Sequence, residues 1–193
     1  MKRSDEVRER IIAATTRLIV NSDGDVMDIN TRAIAQEAQV GVGLINYHFQ
    51  TKENLIEICV ERMINKVIAA FDPLLQEQDP VARLGHTAQL VFDFLVENPA
   101  VSKISMLSDH SKPKVDDNTM RSTLGMDRVL GEVEGSGSVR MLLTFALVST
   151  MQALFLRREQ SGELFGYDIR DKAQRDEVLE LLVNALFGGR DDG

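Results

Sequence analysis

The sequence predicts an all-α protein of about nine helices, and three observations carry that expectation. Apolar residues return at intervals of three and four along nearly the whole chain. No run sustains the two-residue alternation of a half-buried strand. Residues that start helices (asparagine, aspartate, threonine, a following proline) and residues that stop them fall at the edges of the periodic stretches. With 193 residues, 44% hydrophobic and 27% charged, the chain is long enough to bury a core without covalent staples.

Val7, Ile11, Ala14 and Leu18 mark one face of a first helix, with Ile12, Thr15 and Ile19 beside them, until Asn21-Ser22-Asp23-Gly24-Asp25 breaks it. Asn30 is a good N-cap for a second helix, and Ile29 and Ile34 sit at the positions of a hydrophobic staple. That helix runs to about Ala38. The turn Gln39-Val40-Gly41 leads into a third brief helix from about Val42 to Phe49. Thr51 caps a fourth, carrying Leu55, Ile58, Cys59, Met63 and Val67 until Pro73 stops it.

Asp79 followed by Pro80 opens a helix to about Glu97, and Asn98-Pro99 repeats the device for another ending near Ser108. The polar stretch Asp109 to Asp117 reads as a loop. A further helix covers about Asn118 to Val133, and Glu134-Gly135-Ser136-Gly137 punctuates it. Val139 to Arg158 is apolar nearly all round, which requires burial on more than one side. After Ser161 to Arg170, the final helix places Val178, Leu181, Leu182, Ala185 and Leu186 on a broad stripe and ends at Gly188-Gly189.

Charge is distributed unevenly. Residues 1–52 hold seven Lys or Arg and seven Asp or Glu, so the whole net charge of −8 lies in the remaining residues. A phosphate-binding face is therefore possible only near the N-terminus. Cys59 is the one cysteine, which excludes a disulfide framework and a multi-thiolate metal site and fits a reducing cytosol. No stretch reaches ~18 consecutive apolar residues, and the first residues lack a signal-peptide run, so the expectation is a cytoplasmic protein without a membrane partner.

Enzyme motifs are missing. There is no phosphate-binding loop, dinucleotide fingerprint, nucleophile elbow or paired metal-ligand motif, which argues against an enzyme and calls for no cofactor. His86 and Asp93, seven apart on one helix face, could form a metal site with Asp109 and His110 if a loop brought them near. Spacing alone does not assign a metal, and none is assigned.

Three short helices before a long one suggest a helix-turn-helix that sets a few side chains into a DNA major groove; a generic helical hairpin fits the bare pattern equally. Local residue types add to this. Ile34-Ala35, Ala38-Gln39-Val40, Gly43, Tyr47-His48-Phe49 and Thr51-Lys52-Glu53 with Leu55 resemble the DNA-binding domain of the TetR family of transcriptional regulators. Ile11-Ile12-Ala13-Ala14 and Leu18 resemble that family's first helix. The resemblance covers about residues 7–60. It departs at Gln39, where the family commonly has glycine and where the residue must accept positive φ or a slightly altered turn. It departs also at Asn46, often tyrosine in the family.

The resemblance implies a DNA-binding domain over residues 1–52 and an effector-binding and dimerisation domain over 53–193. Its partners would be double-stranded DNA, a second copy of the chain and a small-molecule effector. Lys52, Tyr47 and His48 would meet phosphates. Gly41 and Gly43 leave the front of the reading helix bare, Val42 and Leu44 could touch thymine methyls, and Asn46 and Arg32 could pair with adenine and with guanine or phosphate. Plainer readings remain at this stage: Tyr47 as a half-buried core aromatic, His48 as a packing residue, Lys52 as a solvated charge.

A repressor of a palindromic operator, released when the effector favours another dimer conformation, is the implied mechanism. The surplus apolar surface of the last helices supports a dimer by itself, with Leu147, Met151, Leu154, Leu179, Leu182, Val183 and Leu186 as interface candidates. Met63, Phe94, Met106, Leu107, Met120, Leu124, Met126, Met141 and Phe145 are soft, bulky candidates for lining an effector pocket, each of which also reads as ordinary core.

Overall fold

The computed structural model describes residues 2–27, 29–69, 79–131 and 137–188, with the side chains of Lys2 and Arg3 outside the description. Ten α-helices follow one another among these residues. They are α1 (Lys2–Val20), α2 (Thr31–Ala38), α3 (Val42–Phe49), α4 (Lys52–Ala69) and α5 (Pro80–Glu97). Then come α6 (Pro99–Ser111), α7 (Asn118–Val129), α8 (Gly137–Leu156), α9 (Ser161–Phe165) and α10 (Lys172–Phe187). The fold class is all-α. Pro73, residues 132–136 and Gly189 lie outside the described residues, so the helix stops expected there are not part of this description.

Four helix starts follow from capping residues. The Asn30 side chain accepts from the Ala33 N–H at 2.8 Å, and Ile29 and Ile34 on either side of it are both buried. Thr51 Oγ1 accepts from the Asn54 N–H, Asp79 Oδ1 from the Val81 N–H, and Asp117 Oδ1 from the Met120 N–H. The structure corrects two helix ends and adds one helix. α6 continues through Asp109 to Ser111 and stops where Pro113 forces Lys112 out of the helical region, to φ −141°. α7 ends at Val129, because Gly131 adopts φ +75° and turns the chain away. The tenth helix is α9, whose five residues are too few to show a period.

The chain divides into two compact units, Met1–Lys66 with Asn98–Lys112, and Val67–Glu97 with Pro113–Gly193. The unit holding the helix-turn-helix therefore extends past residue 52 along α4 and takes in α6. Its buried side chains include Ile11 and Ile19 of α1, Ile34 of α2, Ile45 and Phe49 of α3, Leu55 and Cys59 of α4, and Val101 and Ile104 of α6. α6 is seated against α1 and the loop after it. Gly24, at φ +77°, lies so close to Ala100 that a Cβ would come within 3.1 Å of its Cα and carbonyl oxygen. Lys103 Nζ donates to the Asp23 carbonyl in the same place.

The second unit is built from α5, α7, α8 and α10, with α7 on α8 and α5 on α10 and α7. Leu84, Phe92, Met126, Leu147 and Phe155 form its closed interior. Within one chain α8 is buried on a single face. Thr144, Leu147, Val148, Met151, Gln152 and Phe155 form one buried face, while Leu142 is 64% exposed and Phe145 lies on the open side as well.

Candidate DNA-reading face

The geometry of the first unit is set by what its cations and turn residues hold. α3 has only eight residues, too few to persist as an isolated helix, so neighbours must fix its position. Ile45 and Phe49 anchor one face in the core. At the front, Gln39 adopts φ 54° and ψ 48°, the left-handed cap conformation that glycine usually supplies, and the Val40 N–H reaches back to the Ala35 carbonyl. The positive φ expected for Gln39 is present.

The other face of α3 is open. Tyr47 is 77% exposed, Val42 and Leu44 are exposed, and Asn46, Gly41 and Gly43 stand in solvent with them. Nothing lies within 4 Å of a Cβ built on Gly41 or Gly43, so the front of the helix is bare to an approaching surface. The Tyr47 ring meets the half-buried His48 edge-on, with centroids 5.1 Å apart. Such exposure excludes the core reading of Tyr47 and leaves a tyrosine, a valine and a leucine open on one short helix.

Most cations of this unit have structural duties. Arg17 pairs with Glu37 at 2.8 Å and joins α1 to α2; Arg62 grips Glu9 with both terminal nitrogens and joins α4 to α1. Those bonds hold the Glu9 carboxyl below the usual carboxylate range against the opposing effect of burial. Arg8 lies over the Phe49 ring, 5.4 Å from its centroid. The solvated-charge reading of Lys52 fails: its side chain is 17% exposed, and Nζ donates to the Val26 carbonyl at 3.0 Å. Arg32, by contrast, is exposed and makes no ion pair among the described residues. It stands in the first turn of α2, where the helix N-terminus adds its own partial positive charge.

Sequence reasoning passed over Asn54. Its Nδ2 donates to the Phe49 carbonyl at 2.9 Å, tying the first turn of α4 to the last residue of α3. An asparagine three residues after a threonine cap was the available signal. Cys59 is a buried structural thiol; burial pushes it up to about 11, and Sγ faces the Ile12 carbonyl at 3.6 Å.

Burial sorts the interface and pocket candidates. Leu147, Met151, Leu179 and Val183 are closed inside their own unit and offer no surface to a second chain. Leu154, Leu182 and Leu186 are half-buried, while Leu181 of α10 and Val139, Leu142 and Phe145 of α8 are open. The proposed pocket residues differ in exposure. Met106 and Met126 are core, Leu107, Leu124 and Phe145 face solvent, and Met63, Phe94, Met120 and Met141 are half-buried. Met63, Met106 and Leu107 belong to the first unit and the other six to the second.

No cluster of three His, Cys, Asp or Glu able to hold a metal occurs among the described residues. Asp93 is committed to Lys172 and Arg175, and His110 Nδ1 to the Met106 carbonyl. By length and hydropathy alone α8 could cross a membrane. Its buried face carries polar side chains, however, with Gln152 Nε2 donating to Thr119 Oγ1 at 3.0 Å.

Residues 11–59 match the family of bacterial regulatory proteins, tetR family. The whole chain is similar to the nucleoid occlusion factor SlmA of Shewanella halifaxensis (strain HAW-EB4), 27% identical over 187 residues that cover 95% of this chain and 80% of that protein. The SlmA of Shewanella pealeana matches over the same shares at 27%. Among solved structures, a tetR-family transcriptional regulator from Streptomyces coelicolor superposes with a TM-score of 0.69 at 18% identity, over 94% of this chain and 79% of that one. A TetR transcriptional regulator from Rhodococcus sp. RHA1 gives 0.65 at 14%, over 97% and 99%. At these identities the structural matches speak for the fold.

Proposed function

We propose, from the match of residues 11–59 to the tetR family of bacterial regulatory proteins, that the chain is a homodimeric, sequence-specific repressor released by a small-molecule effector. The observation that carries the reading is the open face of α3, where Gly41, Val42, Gly43, Leu44, Asn46 and Tyr47 stand in solvent on a helix held from behind by Ile45 and Phe49. That face suits a major groove. Val42 and Leu44 meet thymine methyls, Asn46 pairs with adenine, and Arg32 reaches guanine or phosphate. Tyr47, His48 and the two further N–H donors of Lys52 serve the phosphates that flank the site.

A two-fold dimer would set two such helices on two half-sites and so read a palindrome. The open residues of α8 and α10 support it. The effector would act from the second unit, by binding one dimer conformation more tightly than the other. The proposed division of labour is DNA reading in residues 1–52 and effector binding with dimerisation in 53–193. Catalysis, a metal and a membrane have no part in this reading, and the site of action is the cytoplasm.

The SlmA relatives favour a second reading. They are named for nucleoid occlusion, and their similarity runs over 95% of the chain, so the same DNA-reading head could serve a chromosome-bound factor whose output is not transcription. Selection of bound fragments from sheared genomic DNA at two salt concentrations tests both. A recovered palindrome at promoters, with affinity falling steeply as salt rises, supports the repressor. Palindromic sites away from promoters support the second reading, and a folded dimer that retains no sequence at low salt removes both.

A further inference from the structure

We propose that Asn54 is a positioning residue for the DNA-reading helix, acting through the carbonyl of Phe49; this rests on the assignment of α3 as the reader. Helix ends leave carbonyls without intrahelical partners, and the last carbonyl of α3 is one of them. Two groups take it. The Thr51 N–H donates to Phe49 O at 2.7 Å, two residues on, and Asn54 Nδ2 donates to the same oxygen at 2.9 Å.

The first of these bonds closes a tight turn around Gln50, at φ 66° and ψ −55°. This is the rarer and more strained form of the three-residue turn, and it is centred on a residue with a side chain. A strained turn persists only where its surroundings over-determine it. Here the reinforcement is reciprocal. Thr51 Oγ1 accepts the Asn54 N–H at 3.1 Å while the Asn54 carboxamide returns to the end of α3. Phe49 is buried beneath the turn, with Arg8 over its ring.

The staple matters for reading because Asn46 and Tyr47 lie within the last turn of α3. The Gln50 N–H donates to the Asn46 carbonyl at 2.9 Å, so the same turn closes directly on Asn46. Without the Asn54 carboxamide, Gln50 can relax toward an ordinary conformation and the last turn of α3 loosens. Phosphate contacts are less sensitive to such a change, since they depend mainly on charge.

Asn54→Ala tests this cleanly. The residue is exposed and alanine favours helix more than asparagine does, so α4 is not weakened by the exchange. Hydrogen exchange is measured on the full chain without DNA, and affinity is measured for the duplex that the unaltered chain selects and for a scrambled duplex. The expected result is exchange at residues 46–50 faster by about tenfold, with the rest of the first unit unchanged. Affinity for the selected duplex falls about tenfold, the scale of one lost base contact, while the scrambled duplex stays within about twofold. Unchanged exchange at residues 46–50, or equal losses on both duplexes, overturns the proposal. A chain that selects no duplex overturns the DNA-reading assignment instead, and the exchange measurement still decides the role of Asn54.

Discussion

Lys52 Nζ donates to the carbonyl oxygen of Val26 across 3.0 Å, from a side chain that is mostly covered. The first turn of α4 is thereby fastened to the loop between α1 and α2. A cation at a helix N-terminus opposes the helix dipole, so some other contact must hold it there. The Val26 carbonyl and the Glu53 carboxylate, 3.9 Å from Nζ, supply that compensation, and in the proposed complex a DNA phosphate would add to it.

Lys52→Met separates the two duties, because methionine keeps the apolar stem and drops the charge. The loss of a charge-assisted hydrogen bond should lower stability by about 1.5–3 kcal/mol. A phosphate role adds a second signature: affinity for selected and scrambled duplexes falls together, and the slope of log affinity against log salt decreases by about one. Thermal melting with DNA titration at two salt concentrations reads both. Melting that shifts while the salt slope stays fixed assigns Lys52 to structure alone.

Gln39 sits at φ 54° and ψ 48° between α2 and α3, a conformation that costs a side-chain-bearing residue about 1 kcal/mol. Gln39→Gly removes that cost but raises the entropy of the unfolded chain, so the net gain expected in a urea melt is about 0.5 kcal/mol. The cap hydrogen bonds from its backbone N–H are unaffected by the exchange. A loss of stability would show that the glutamine side chain makes a favourable contact that outweighs the backbone strain.

The first fifty-odd residues were legible because local signals and tertiary structure agree there. Asn30, Ile29 and Ile34 announce α2, and Gln39 stands where a left-handed residue is needed. The second unit was harder to read. A helix as apolar as α8 does not say which side meets its own chain, and Leu147 and Leu142 look alike until α7 and α10 cover the first and leave the second open. Pocket candidates chosen for softness are hard to sort for a related reason: methionine serves a core as readily as a cavity, and Met126 is fully buried. Asn54 escaped notice because the spacing from its threonine cap marks only the start of α4, and its partner, the Phe49 carbonyl, belongs to the backbone.

Asp93 carries an acid-sensitive part of the stability. Burial pushes its carboxyl up, but hydrogen bonds from Lys172 and Arg175, together with their charges, prevail and hold it below the usual aspartate range. A depressed carboxyl stabilises the folded state above the unfolded value of about 3.9 and loses that contribution as pH falls through the lower folded value. Arg175 is only 5% exposed and would be left buried against a neutral amide in Asp93→Asn. The expected cost at pH 7 is about 2–3 kcal/mol. Urea melts at pH 7 and near pH 3 should show the two chains converging at the acid end. A constant gap at both pH values would assign the effect to shape instead of charge.

Leu181 and Leu147 test the dimer by contrast. Leu181 is 54% exposed on α10, on the stripe it shares with Val178, Leu182 and Ala185, while Leu147 on α8 is closed inside the unit. A two-fold interface uses the same patch on both chains, so one charge introduced there is met twice. Leu181→Glu should therefore give a monomer whose helical content and unfolding remain close to those of a single intact chain. Leu147→Ala should instead lower folding stability by about 2–5 kcal/mol through the cavity it leaves, with association following only as folding is lost. Sedimentation and thermal melting on both variants distinguish these outcomes. A Leu181→Glu chain that stays dimeric at low micromolar concentration would move the two-fold contact off the α10 stripe. The exposed Leu164 and Phe165 of α9 would then be the next surface to alter. A monomer that still bound a single half-site weakly, and lost the palindrome, would tie the two-fold symmetry of the chain to that of its DNA.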